Sequence, residues 1–74
     1  SMLKEKIESI SLQIENFIKN TDDVKCEEVK DDALKQIEFA RQVKNKSNAK
    51  NKLDVVEKDL EMIARYLGVP VNAA

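Results

Sequence analysis

Leu53-Asp54-Val55-Val56-Glu57-Lys58-Asp59-Leu60-Glu61-Met62-Ile63-Ala64-Arg65-Tyr66-Leu67-Gly68-Val69-Pro70 is the stretch that decides the fold. Within it Leu53, Val56, Leu60, Ile63 and Leu67 recur at alternating spacings of three and four, continuing from Ala49. That period marks one buried face of an α-helix. It stops at the chain's only glycine and only proline. Gly68 suits the left-handed conformation that ends helices, Val69 is placed to fold back on Ile63 and Ala64, and Pro70 forbids continuation. A helix over 49–67 follows, with 68–74 as a tail.

The same spacing recurs at the other end of the chain. Leu3, Ile7, Ile10, Ile14 and Phe17 form a narrow stripe with Ile18 beside it, which predicts a helix over 3–19 with a coiled-coil-like seam. Asn20-Thr21-Asp22-Asp23 breaks the pattern, and Thr21 or Asp22 is the expected cap of a second helix over 23–44. The inner positions of that helix are Cys26, Val29, Ala33, Ile37, Ala40 and Val43, two of them alanines that permit close approach. Asn45-Lys46-Ser47-Asn48 then favours a turn. Acid-first pairs four residues apart, such as Glu15–Lys19 and Glu61–Arg65, add a few tenths of a kcal/mol each to these helices.

Three helices with short turns predict one all-α domain over 1–74, an antiparallel up-down-up three-helix bundle. The alternative is a helical hairpin with one long helix, continuous through 45–48, that assembles through coiled-coil-like contacts. Either way the core is small. A chain of 74 residues gains only about 3–5 kcal/mol from a single core, and such chains lean on disulfides, metals or partners. Cys26 is the sole cysteine and histidine is missing, so neither a disulfide within the chain nor a Cys-His metal site is expected. Association with a protein is the remaining aid.

The lone cysteine and the lack of a secretory apolar segment predict an intracellular, cytoplasmic protein, with no membrane partner. Ser1 ahead of Met2 reads as the remnant of a cleaved tag. No enzyme activity and no cofactor are expected. There is no histidine base, no glycine-rich phosphate loop, and no serine or cysteine beside an activating group. Asp22/Asp23, Glu27/Glu28 and Asp31/Asp32 read as solvated acids that match the positive end of a helix.

Two constellations remain. The first is charge polarity: Arg41, Lys44, Lys46, Lys50 and Lys52 occur with no acid between them, while six acids fall within 22–32. In an up-down bundle these segments lie at opposite ends, and the basic one is a candidate nucleic-acid or anion site. No aromatic is interleaved with its lysines, which disfavours nucleic acid.

The second constellation is an apolar surplus. Leu12 lies about 180° around its helix from the core stripe. Val55, Met62 and Tyr66 form a second stripe roughly 130° from the Leu53/Leu60/Leu67 one. Phe39 and Leu34 flank the inner face of the second helix. Leu12, Phe39, Val55, Met62 and Tyr66 are therefore the candidate surface for self-association or for docking on a partner protein.

Ile63-Ala64-Arg65-Tyr66-Leu67-Gly68-Val69-Pro70 resembles the segment that ends the first helix of a helix-turn-helix unit in bacterial repressors. The resemblance covers eight residues and implies a recognition helix after the turn. Only Val71-Asn72-Ala73-Ala74 follows, too little to reach base edges. The sequence thus predicts a non-enzymatic protein-interaction or regulatory module, with anion binding through the basic segment as the alternative.

Overall fold

The computed structural model describes residues 2–71; Ser1 and, from the expected tail, 72–74 lie outside the described residues. Three helices form, α1 (Met2–Asn20), α2 (Val24–Lys46) and α3 (Lys50–Leu67), and each packs against both others. The result is the up-down-up three-helix bundle. The long-helix hairpin does not form, because the chain turns at 47–49.

Local chemistry fixes each break, with two adjustments to expectation. The cap of α2 is Asp23 and neither Thr21 nor Asp22: its Oδ1 accepts the Lys25 N–H at 2.9 Å. Asp23 directly precedes the first helical residue, the position from which a carboxylate reaches the unpaired N–H groups of the first turn. Thr21 serves one step earlier, its Oγ1 accepting the Asp23 N–H at 3.2 Å. At the other end, Asn45 and Lys46 extend α2 beyond 44. Lys44 and Lys46 in the last turn suit its negative end. The turn itself is made by Ser47, whose N–H donates to the Val43 carbonyl at 2.9 Å while its Oγ accepts the Ala49 N–H at 3.1 Å.

The stop of α3 is as the sequence predicts. Gly68 takes φ 82° and ψ 22°, the left-handed region. Its N–H donates to Arg65 O at 3.2 Å and the Val69 N–H to Ala64 O at 2.8 Å, the paired bonds of a Schellman cap. Val69 is buried, and Ile63, Ala64 and Val71 belong to the same apolar cluster.

The core runs the length of the bundle through Ile7, Ile10, Ile14, Ile37, Leu60 and their neighbours. Several inner positions differ from the simple stripes, among them Val29 and Val43 of α2, which are only partly buried. Ile18 is buried where Phe17 was expected, and Ala64 is fully buried while Ile63 is only partly so. A helix that touches two neighbours buries a face wider than one seam, so residues beside the stripe move inward and its margins stay half-exposed. Ser11, with no exposed surface, sits among the α1 isoleucines. Its hydroxyl donates to Ile7 O at 2.8 Å, which satisfies a polar group that would otherwise be costly to bury.

Candidate docking surface

The five candidate apolar residues are all substantially exposed, between 47% for Leu12 and 60% for Met62. The structure divides them. Leu12 lies in an α1–α2 groove of about 410 Å³ with Leu34 and Ile18, which Lys19 and Lys30 also line. Met62 and Tyr66 instead border a groove between α2 and α3, of about 340 Å³. Its more buried part is Val29, Ala33 and Ile63, and Asp32 and Gln36 supply its polar edge.

Helical spacing extends that second face beyond the groove. Asp32, Phe39 and Lys46 recur every seven residues along α2, so Phe39 shares the side of α2 on which Asp32 borders the groove. On α3, Val55 and Met62 are likewise seven apart, as are Lys52, Asp59 and Tyr66. Phe39, Val55, Met62 and Tyr66 therefore belong to one α2–α3 face, and Leu12 to another. At one end of this face the Lys25 ammonium sits 4.2 Å from the centroid of the Tyr66 ring. That cation–π contact fixes the ring edge of the groove.

Sequence reasoning places Val29 in the core and overlooks Lys25. The signal for Val29 was its seven-residue spacing to Gln36 and Val43, which puts it at the margin of the inner stripe.

The basic segment is partly spent inside the fold. Arg41 donates to Glu8 from Nε at 3.1 Å and Nη2 at 2.8 Å, and to Glu15 from Nη1 at 2.7 Å and Nη2 at 2.9 Å. Lys44 Nζ reaches Glu8 at 2.7 Å. The hydrogen bonds from Arg41, followed by that from Lys44, hold the Glu8 carboxyl down at about 2 against the opposing cost of burial. Arg41 also lowers Glu15, and the two carboxylates hold the guanidinium firmly protonated. Lys50 pairs with Asp54 within α3 at 2.8 Å, which raises its pKa. Lys46 and Lys52 are exposed and make no ion pair among the described residues. Glu8 and Glu15, seven residues apart on α1, were the overlooked signal: that spacing presents two carboxylates to one guanidinium.

Cys26 is buried and its thiol is pushed up in pKa by that burial, then by Glu27 and Asp23. Among the described residues no group of histidine, cysteine, aspartate and glutamate is arranged to hold a metal ion. No helix among them is long and apolar enough to cross a membrane. No family model, curated protein or solved structure matches the chain.

Proposed function

We propose that this chain is a non-enzymatic helical protein-interaction module that docks through its α2–α3 face. The observation that carries the reading is the exposure of Phe39, Val55, Met62 and Tyr66 outside the buried core, on the face that holds a groove lined by Val29, Ala33 and Ile63. Large half-exposed side chains around a concave apolar site are the anchors from which protein interfaces draw most of their affinity. A marginal core gives a second reason, since a partner that binds only the folded state stabilises it. Leu12 and Leu34 form a separate patch. The anion-binding alternative has less support, because Arg41 and Lys44 face α1 carboxylates and Lys50 pairs with Asp54, which leaves Lys46 and Lys52.

The test is capture of binding proteins by the full chain from extract of its source cells. Met62→Glu and Tyr66→Glu, both exposed and expected to fold, abolish capture on this reading, while Glu38→Gln on another side of α2 does not. A captured protein that is retained equally by all of these variants would overturn the assignment of the face.

A further inference from the structure

The α1–α2 side of the bundle carries a second concave surface, which shares no lining residue with the α2–α3 groove. Ile18 is buried there, while Leu12 and Leu34 are 47% and 37% exposed. Because α1 and α2 run antiparallel, the polar residues of this side sort by level. The Arg41 clamp on Glu8 and Glu15 lies towards one end. Lys19 and Lys30, the lining residues nearest the turn that joins the two helices, lie towards the other.

The unmatched charge in this groove is positive. Glu15, its one acidic lining residue, is held by Arg41 at 2.7 Å. Lys19 and Lys30 make no ion pair among the described residues. Neighbouring acids are engaged or lie further out. Glu8 is taken by Arg41 and Lys44, and Glu5 lies a heptad before Leu12, beyond the clamp. On α2, at about 100° per residue, Lys30 lies about 40° from Leu34 towards Ile37 and the core. Glu27, Glu38 and Asp31 lie about 20°, 40° and 60° from Leu34 in the opposite sense, towards solvent. Lys30 is accordingly half-buried and the three acids are exposed.

We propose that this groove docks an acidic amphipathic helix of a partner protein, with an apolar anchor between Leu12 and Leu34 and a carboxylate at Lys19 and Lys30. Two antiparallel helices leave a channel along which a further helix packs by one apolar face. The seven residues from Leu12 to Lys19 span about 10 Å, or two helical turns. The bound helix therefore presents its anchor and then, one to two turns on, its acids. A free amphiphile of the same chemistry suits the groove less well. Small-ligand sites enclose about 70–90% of their ligand, whereas Leu12 and Leu34 line an open channel. A helix keeps its other face against its parent protein. The leucines supply affinity, and the lysines orientation and speed of approach.

Titration of the full, isotopically labelled chain with two capped helical peptides tests the proposal. One carries leucines four residues apart, followed after one turn by two glutamates, in an alanine–glutamine background. The other has lysines in place of the glutamates. The expected result is chemical-shift change confined to Leu12, Ile18, Leu34 and their neighbours. The acidic peptide binds about tenfold more tightly than the basic one, and its affinity falls as salt rises. Lys19→Gln combined with Lys30→Gln weakens the acidic peptide about fivefold and removes most of the discrimination, with helicity intact by circular dichroism. Lys35→Gln combined with Lys58→Gln, the same charge change at exposed positions outside the groove, leaves the discrimination in place. Leu34→Gln weakens both peptides alike.

Equal binding of the two peptides, or discrimination that survives loss of Lys19 and Lys30, overturns the proposal. Shifts centred on Met62 and Tyr66, or none up to about millimolar peptide, overturn the site and leave the α2–α3 face to its own capture test. Dodecanoate bound at Leu12 and Leu34 more tightly than the acidic peptide overturns a protein helix as the occupant. A dimer of the free chain that Leu34→Gln disperses overturns it in favour of a second copy.

Discussion

Arg41 of α2 forks onto Glu8 of α1, with Nε to Oε1 at 3.1 Å and Nη2 to Oε2 at 2.8 Å. Glu15, one heptad further along α1, takes the other edge of the guanidinium. This planar, two-sided match joins two helices whose apolar seams alone would tolerate sliding, because a bidentate pair has one good geometry.

The pair sets an acid dependence of stability. Glu8 titrates at about 2 in the folded chain against an ordinary 4.5. Between those values the unfolded state binds more protons, so stability rises with pH. The contribution is complete above about 4.5 and is lost as pH falls through about 2. The Glu8 side chain is about a third exposed, so solvent screening reduces the gain to about 1 kcal/mol. Urea unfolding at successive pH values measures it. Glu8→Gln should flatten the dependence below pH 4.5; an unchanged slope would show that the carboxylate is not held as described.

Arg41→Lys separates geometry from charge. A lysine keeps one positive charge but cannot bridge Glu8 and Glu15 with paired N–H groups. It should cost about 1 kcal/mol in urea unfolding, with Arg41→Met costing more because Glu15 then loses the guanidinium beside Glu8, which keeps only Lys44. Equal stability of wild type and Arg41→Lys would reduce the clamp to a simple charge effect.

The helices were legible because their signals are local. A 3.6-residue period, the Asp23 region and the Gly68-Val69-Pro70 stop each act within a few residues. Which flank of a stripe turns inward is a property of the whole bundle, and this is why Ile18 displaced Phe17 and Ala64 displaced Ile63. The candidate surface shows the same limit. Apolar excess on each helix was readable, yet only the placement of three axes separates Leu12 from Met62 and Tyr66. Arg41 was read with the charged residues that follow it, Lys44 to Lys52, all basic, whereas its partners are 26 and 33 residues away.

Gly68 offers a test of the C-cap with opposite signs for the two mirror-image alanines. The Cβ of an L residue added there meets nothing within 4 Å, so for L-alanine space is not at issue and φ 82° decides the outcome. L-alanine in the left-handed region costs about 1 kcal/mol. D-alanine adopts that region readily and also restricts the unfolded chain, so it should stabilise by about 0.5–1 kcal/mol. Thermal melts of the synthetic chain measure both, and destabilisation by D-alanine would show that Gly68 matters for another reason.

The N-terminus of α3 is under-capped. Ala49 has the extended backbone of a cap residue, φ −69° and ψ 117°, but no side chain to accept a bond, and no acid occupies the first turn. Lys50 and Lys52 there face the positive end of the helix dipole. Ala49→Asp should therefore stabilise the bundle by about 1 kcal/mol, seen as a melting point about 4–8 °C higher. Asp23→Ala, which removes the working cap of α2, should lower it by a similar amount. A neutral Ala49→Asp would mean that the Lys52 N–H, donating to Asn51 Oδ1 at 3.0 Å, already satisfies that turn.

Tyr66 reports directly on the α2–α3 face. It is the chain's only tyrosine, tryptophan is missing, and its ring is half-exposed beside the groove. Its fluorescence in the free chain should be readily quenched by acrylamide, since about half of the side chain meets solvent. Any partner that covers the face removes that access and displaces or encloses Lys25 above the ring. Quenching should therefore fall as binding proceeds and should stay high in Phe39→Glu, which leaves Tyr66 in place but removes an anchor of the same face. Binding that leaves Tyr66 as accessible as before would move the docking site to the Leu12–Leu34 side of the bundle.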